Sequence, residues 1–189
     1  MQIIAGAARG IVLATAPSLA VRPTAGRSRE ALFNSLGPLS GMTVVDLFAG
    51  SGALGLESAS RGAAEVFLVE REKRHCRVIE KNIAAVVKAG VAGVIRLMEA
   101  DACTCRAWHG CRPDLIFADP PYAESAEFFH RLLVDPQFLR AGAGATLVWE
   151  IPDAPGSTGN FLTGHELRQF RIRRFGGTDF LLGVLPEPQ

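Results

Sequence analysis

The sequence predicts an α/β fold: a mostly parallel sheet with helices on both faces, an antiparallel hairpin closing one edge at the C-terminus, and a small β-hairpin at the N-terminus. Three observations carry this reading. Short β-rich apolar runs alternate with helical stretches from residue 43 to residue 150, and strands separated by helices run parallel. Near the end of the chain, two extended runs meet at Gly176-Gly177, a hairpin signal. The composition, 48% hydrophobic and 21% charged over 189 residues, suits one domain with a core of ordinary size. It excludes disorder, collagen and low-complexity scaffolds.

The elements follow in chain order. Residues 2–5 and 10–15 are strand-like runs around a turn containing Gly6, the expected N-terminal hairpin. After the extended Arg22-Pro23-Thr24, residues 27–36 read as a helix with Ala31, Leu32 and Leu36 on one face, and Gly37, Pro38 and Gly41 then punctuate the chain. Strands are expected at 43–48, 65–69, 94–99, 114–118 and 145–150. Helices are expected at 53–61, at 72–89 where Gly90 stops the pattern, and at 124–133. Runs 166–175 and 178–184 form the closing hairpin. By role the chain divides into an N-terminal hairpin and extended arm, 1–25, and a main domain, 26–189.

Twenty bases against nineteen acids leave a net charge of +1, which argues at first against a polyanionic partner. The charge is unevenly spread. Residues 1–29 hold Arg9, Arg22, Arg27 and Arg29 and no acid, and residues 168–189 hold Arg168, Arg171, Arg173 and Arg174 against Asp179 and Glu187. The middle, 30–167, holds twelve bases and seventeen acids. Only the fold decides whether the two basic ends meet. No apolar run approaches the ~18 residues of a membrane span. Residues 10–20, preceded by Arg9, resemble the apolar part of a signal peptide, but Pro17 and Ser18 interrupt them and the segment before Arg9 is itself apolar. A cytosolic protein with four reduced cysteines is the expectation, and a monomer, since no long apolar surface helix is evident.

Gly50, Gly52 and Gly55 spell G-x-G-x-x-G where the strand that carries Asp46 and Phe48 turns into a helix. Glu70 ends the next strand, twenty residues after Gly50, where a carboxylate can take ribose hydroxyls. Both features suit a dinucleotide, and both suit S-adenosylmethionine. A dinucleotide brings a pyrophosphate to the helix N-terminus, and Asp46 would put a like charge beside it. S-adenosylmethionine brings an ammonium and a sulfonium, which a carboxylate attracts. Charge favours the second cofactor while leaving the first open.

The strand at 114–118 runs into Asp119-Pro120-Pro121-Tyr122, at the carboxyl end of the sheet where open α/β folds bind ligands. An aromatic amine is a poor nucleophile because its lone pair is delocalised into the ring. Asp119 can accept one N–H of such an amine and the Pro120 carbonyl the other, turning the lone pair toward an incoming methyl. Two prolines hold the backbone for that purpose, and Tyr122 can stack on a base drawn out of its helix.

Asp119 to Tyr122, with residues 2–6, Arg9-Gly10, Arg22-Pro23-Thr24, residues 29–34 and residues 46–61, resemble the bacterial 16S ribosomal RNA guanine-N2 methyltransferases of the RsmD family. The resemblance runs nearly the whole chain. It implies a Rossmann-like class I methyltransferase with a seven-stranded sheet, using S-adenosylmethionine to modify a guanine of 16S rRNA within assembled small subunits. It implies Asp46, Gly50 and Gly52 at the methionine end of the cofactor, with Phe48 in the same cofactor set. Glu70 is implied on the ribose and Asp101 on the adenine. Asp119, also counted with the cofactor site, joins Pro120 and Tyr122 as the catalytic set. Arg9, Arg22, Arg27 and Arg29 are the expected RNA contacts. The chain departs from the pattern at Ile11-Val12 and Gly26, where further charged residues are usual, and the fewer cations should weaken RNA docking.

Cys103, Cys105, His109 and Cys111 lack the spacing of a zinc knuckle, so no metal is expected. Cys76 reads as a helix residue without a chemical role, and His75, His130 and His165 as surface or packing residues. Arg168 to Arg174 alternate with Phe170 and Ile172, a charged strand face that serves solvent or RNA equally well. Three rival functions remain: an adenine-N6 or cytosine-N4 methyltransferase on DNA or RNA, a nucleotide-dependent oxidoreductase, and a non-enzymatic RNA chaperone.

Overall fold

Side chains on a strand alternate between its two faces, and this chain sorts its apolar residues by that period. The computed structural model describes residues 1–16, 25–153, 159, 161 and 167–187. Arg22-Pro23-Thr24, His165 and Glu166 lie outside the described residues. The elements are α1 (Ala25–Leu36), β1 (Thr43–Leu47), α2 (Ala53–Ser60), β2 (Glu65–Glu70), α3 (Lys73–Lys88), β3 (Val94–Glu99) and β4 (Leu115–Ala118). A 3-10 turn, Tyr122–Glu124, leads into α4 (Ser125–Leu133), α5 (Pro136–Ala141), β5 (Thr146–Ile151), β6 (Arg168–Phe175) and β7 (Thr178–Val184). On β1, β2 and β4, Val44, Leu68 and Phe117 enter one buried core, while Val45, Val69 and Ile116 enter another on the opposite face. Leu32, Leu56 and Ile79 from α1, α2 and α3 cover the first, and Phe129, Phe138 and Trp108 cover the second. β4 is apolar throughout and β1 is apolar apart from Thr43 and Asp46, as suits strands buried on both faces.

The strands form one seven-stranded sheet in the order β3-β2-β1-β4-β5-β7-β6. β1 to β5 pair in parallel; β7 runs antiparallel to β5, and β6 antiparallel to β7. The chain steps outward from β1 to β3, then crosses back so that β4 lies on the other side of β1. The order therefore reverses between β1 and β4, and the crevice beyond their carboxyl ends is where such sheets bind ligands.

Two elements differ from expectation. The N-terminal hairpin shrinks to one antiparallel bridge, Gln2 with Val12. Around that bridge Ile3 N–H donates to the Ile11 carbonyl at 2.9 Å and Leu13 N–H to the Met1 carbonyl at 2.8 Å, while just past it Ile4 and Ala5 N–H donate to the Glu57 carboxylate at 2.7 and 3.1 Å and Ala7 N–H to the Ser60 carbonyl at 2.8 Å. Ile3, Ala8 and Leu13 are buried in the first core, so residues 1–16 pack as part of it. The second difference is α5. Asp135 caps it by accepting from Gln137 N–H at 2.9 Å, and Pro136 opens its first turn, a start signal that Asp135-Pro136 displays in the sequence.

Candidate active site

β1 delivers Asp46 on the face covered by α2. Burial pushes its carboxyl up to about 7, against the pull of the Gly55 N–H it accepts at 2.9 Å and with a further push from Glu70. Gly55 stands in the first turn of α2, so this carboxylate caps the positive end of the helix. Gly55 also lets α2 lie on β2, since a Cβ there would come 2.2 Å from Leu68 Cδ2. Gly52, the N-cap, holds φ 79°, which glycine adopts without strain. Phe48 holds φ 62° without being glycine, a conformation costing about 1–3 kcal/mol. Its ring packs on Phe128 with centroids 5.0 Å apart.

Glu70 closes the loop from the other side. It is buried, and its two oxygens accept from Gly50 N–H and Glu72 N–H, each at 2.8 Å, with His75 Nδ1 3.6 Å away. A carboxylate has about four acceptor positions, so capacity for further donors remains. Asp101 begins the connection after β3 and accepts from Cys103 N–H at 2.8 Å. The Gly50 and Gly55 N–H groups are thus both held by acidic side chains.

Asp119 follows β4 and is exposed, Pro120 is buried, and Tyr122 is half-buried. The Tyr122 hydroxyl donates to Glu150 Oε1 at 3.0 Å, joining the turn after β4 to the end of β5. Asp46, Phe48, Gly50, Glu70, Asp101, Asp119, Pro120 and Tyr122 all line one cleft of about 610 Å³, a size typical of small-molecule sites. Gly52 is absent from its lining; a Cβ there would come 3.2 Å from Leu56 Cδ1.

The family described as Conserved hypothetical protein 95 matches residues 1–183 of this sequence. The chain belongs to this family. In the same RsmD family is the ribosomal RNA small subunit methyltransferase D of Escherichia coli K12, 41% identical over 123 residues. That match covers 65% of this chain and 60% of the relative's length. Among solved structures, the Escherichia coli protein yhhF, provisionally named a methyltransferase, superposes with a TM-score of 0.76 at 28% identity, over 100% of this chain and 99% of that one. The precorrin-6y C5,15-methyltransferase of Geobacter metallireducens shares the fold alone, with a TM-score of 0.62 at 16% identity over 92% of this chain and 93% of that one.

In this RsmD-family chain the four arginines named from the sequence do not act alike. Arg9 and Arg27 are exposed, and Arg22 lies outside the described residues. Arg29 is 6% exposed, in the wall of the cleft, donating from Nη2 to the Gln2 carbonyl. It belongs to the buried face of α1 with Leu32 and Phe33, so it is not one of an outward-facing row. His75, expected at the surface or in packing, is buried and lines the cleft. Among the described residues no His, Cys, Asp or Glu group is arranged to hold a metal, and no helix is long and apolar enough to cross a membrane. Burial pushes the Cys76, Cys103 and Cys111 thiols up to about 11, so they stay protonated at neutral pH.

Sequence reasoning missed Glu57, Asn82 and Glu150. Glu57 is fully buried and takes Ile4, Ala5 and Arg61. Asn82 pairs with Ala14 through both its N–H and carbonyl and donates to the Ser51 carbonyl at 2.9 Å, tying the N-terminal segment to the glycine loop. Glu150 carried a readable signal, an acid at the carboxyl end of a strand, the rule that selected Asp46, Glu70 and Asp119.

Proposed function

We propose that this chain is an S-adenosylmethionine-dependent methyltransferase acting on the exocyclic N2 of a guanine in 16S rRNA, within assembled small subunits. The observation that carries the reading is one cleft in which the acid-lined glycine loop faces the Asp119–Tyr122 turn. The donor set fits a cationic cofactor: the Asp46 and Glu70 carboxyl groups line the cleft and accept from the Gly55 and Gly50 N–H groups beside the glycine loop. S-adenosylmethionine, when bound, supplies an electrophilic methyl group. Asp46 and the glycine loop would hold its methionine end, Glu70 its ribose hydroxyls and Asp101 its adenine. Asp119 and the Pro120 carbonyl would accept the two N–H bonds of the guanine amine and aim its lone pair, and Asp119 or solvent would take the proton released. Tyr122 would stack on the flipped base, so that positioning does most of the work. The name of the Escherichia coli relative supports small-subunit rRNA as substrate.

Labelled S-adenosylmethionine, unmodified small subunits and nucleoside analysis test this directly. The label is expected on N2-methylguanine. Label on adenine, or transfer undiminished by Asp119→Ala, overturns the mechanism. Tyr122→Ala should lower turnover more than cofactor affinity, because stacking acts on the base. Calorimetric titration separates the cofactors: tight binding of NAD without S-adenosylmethionine would contradict the reading.

A further inference from the structure

We infer that Glu150 selects the target base: its carboxylate accepts the ring N1–H of guanine while Asp119 and Pro120 hold the neighbouring amine. The inference rests on the methyltransferase reading above and names the group that discriminates among bases. In the register of β4 with β5, Ala118 lies beside Trp149, so Asp119 and Glu150 follow from neighbouring positions at the same end of the sheet. Glu150 lines the cleft with Asp119, Pro120 and Tyr122. Its Oε1 accepts the Tyr122 hydroxyl at 3.0 Å, which sets the ring and the carboxylate against each other. A carboxylate has about four acceptor positions, so the bond to Tyr122 is compatible with a further donor from a ligand.

The chemistry of the bases gives that acceptor its use. Beside its exocyclic amine, guanine carries a ring N–H. Adenine and cytosine carry a ring nitrogen lone pair in the corresponding place. A carboxylate accepts from the first and repels the second, so Asp119, Pro120 and Glu150 together match the N1–H and NH2 edge of guanine. The Asp-Pro-Pro-Tyr turn alone presents the same acceptors to every aromatic amine, and Glu150 removes that degeneracy. An unpaired polar group left in such a site is what makes an analogue lacking the donor a poor substrate.

The experiment compares guanine with 2-aminopurine, which keeps the 2-amino group but has a lone pair at N1. Once wild-type protein has mapped the methylated position, small subunits are reconstituted with either base there, and kcat/KM is measured for wild type and Glu150→Gln. Gln can still accept the Tyr122 hydroxyl and can donate to the N1 lone pair, while loss of the purine O6 affects both proteins alike. Wild type is expected to prefer guanine by about 100-fold and Glu150→Gln by less than about 5-fold, a site built around a donor being the source of the difference. Titration with S-adenosylmethionine, expected to give the same affinity in both proteins, confirms that the variant is folded. Equal discrimination by both proteins, with guanine methylated and the cofactor bound, overturns the inference alone. No transfer by wild type overturns the methyltransferase reading, transfer to adenine overturns the guanine-N2 target, and either takes the inference with it.

Discussion

Asp46 holds a carboxyl that the fold makes unusually hard to ionise. Burial is the main cause; the Gly55 N–H opposes it and Glu70 adds to it, and the result is about 7. The folded chain therefore keeps a proton that the unfolded chain releases near pH 4, so the native state binds more protons between about pH 4 and about pH 7. Stability should fall as pH rises through that window and level off above it. Asp46→Asn, which can still accept from Gly55, should flatten this component, as denaturant melts at about pH 5 and about pH 8 would show. A cation seated beside Asp46 restores the carboxylate. Binding of S-adenosylmethionine should release a proton and tighten toward pH 8 in the wild type, and the variant should lose that dependence. Calorimetry in buffers of different ionisation enthalpy reads the proton directly, and an unchanged pH profile in Asp46→Asn would count against the assignment.

At the scale of one element, α2 connects three parts of the molecule. Its first turn takes the Asp46 carboxylate, its Gly55 rests on β2, and its last turns take the N-terminal segment through Glu57 and Ser60. Gly55→Ala would force a Cβ to within 2.2 Å of Leu68 Cδ2 and 3.0 Å of Val66 Cγ1. Overpacking of this kind should cost about 1–3 kcal/mol in denaturant melts. Glu57→Ala would leave the Ile4 and Ala5 N–H groups and Arg61 without their acceptor. Its expected cost is about 3 kcal/mol, with faster hydrogen exchange at residues 3–8 than at β1. Exchange that rises equally everywhere would mean that Glu57 supports the whole fold rather than this segment. A buried carboxylate on a helix takes the N–H groups just past the Gln2–Val12 bridge, and local pattern carries no trace of a partner more than fifty residues away.

Across the whole molecule, the net charge of +1 conceals two basic ends, and the fold joins α1 of the first to the β6–β7 turn of the second. Ser28 in α1 donates to the Gly176 carbonyl at 3.1 Å and accepts from Thr178 Oγ1 at 3.1 Å, so α1 is fastened to the turn between β6 and β7. Arg27 and Arg173, from opposite ends of the chain, are exposed on these joined elements, and Thr178 and Phe180 of β7 line the cleft. If this edge docks the small subunit, Arg27→Ala with Arg173→Ala should weaken binding and reduce the salt slope by about 2, without changing which base is methylated. Filter binding across a salt series measures it. With so few cations, protein-free rRNA should be a much poorer substrate than intact subunits, and comparable methylation of the two would refute that. The amino-acid pattern set the alternating elements and placed Asp46, Glu70, Asp101 and Asp119 at or beside strand ends, because hydrophobic period, glycine spacing and proline turns are local properties. It also determined the family, through motifs spread along the chain. Which way these groups face was settled by the folded chain: Asp46 toward a helix end, Arg29 inward, Glu150 onto Tyr122, and α1 onto the β6–β7 turn. The reason is physical, since burial and pairing come from segments that are distant in sequence and meet only when the sheet closes.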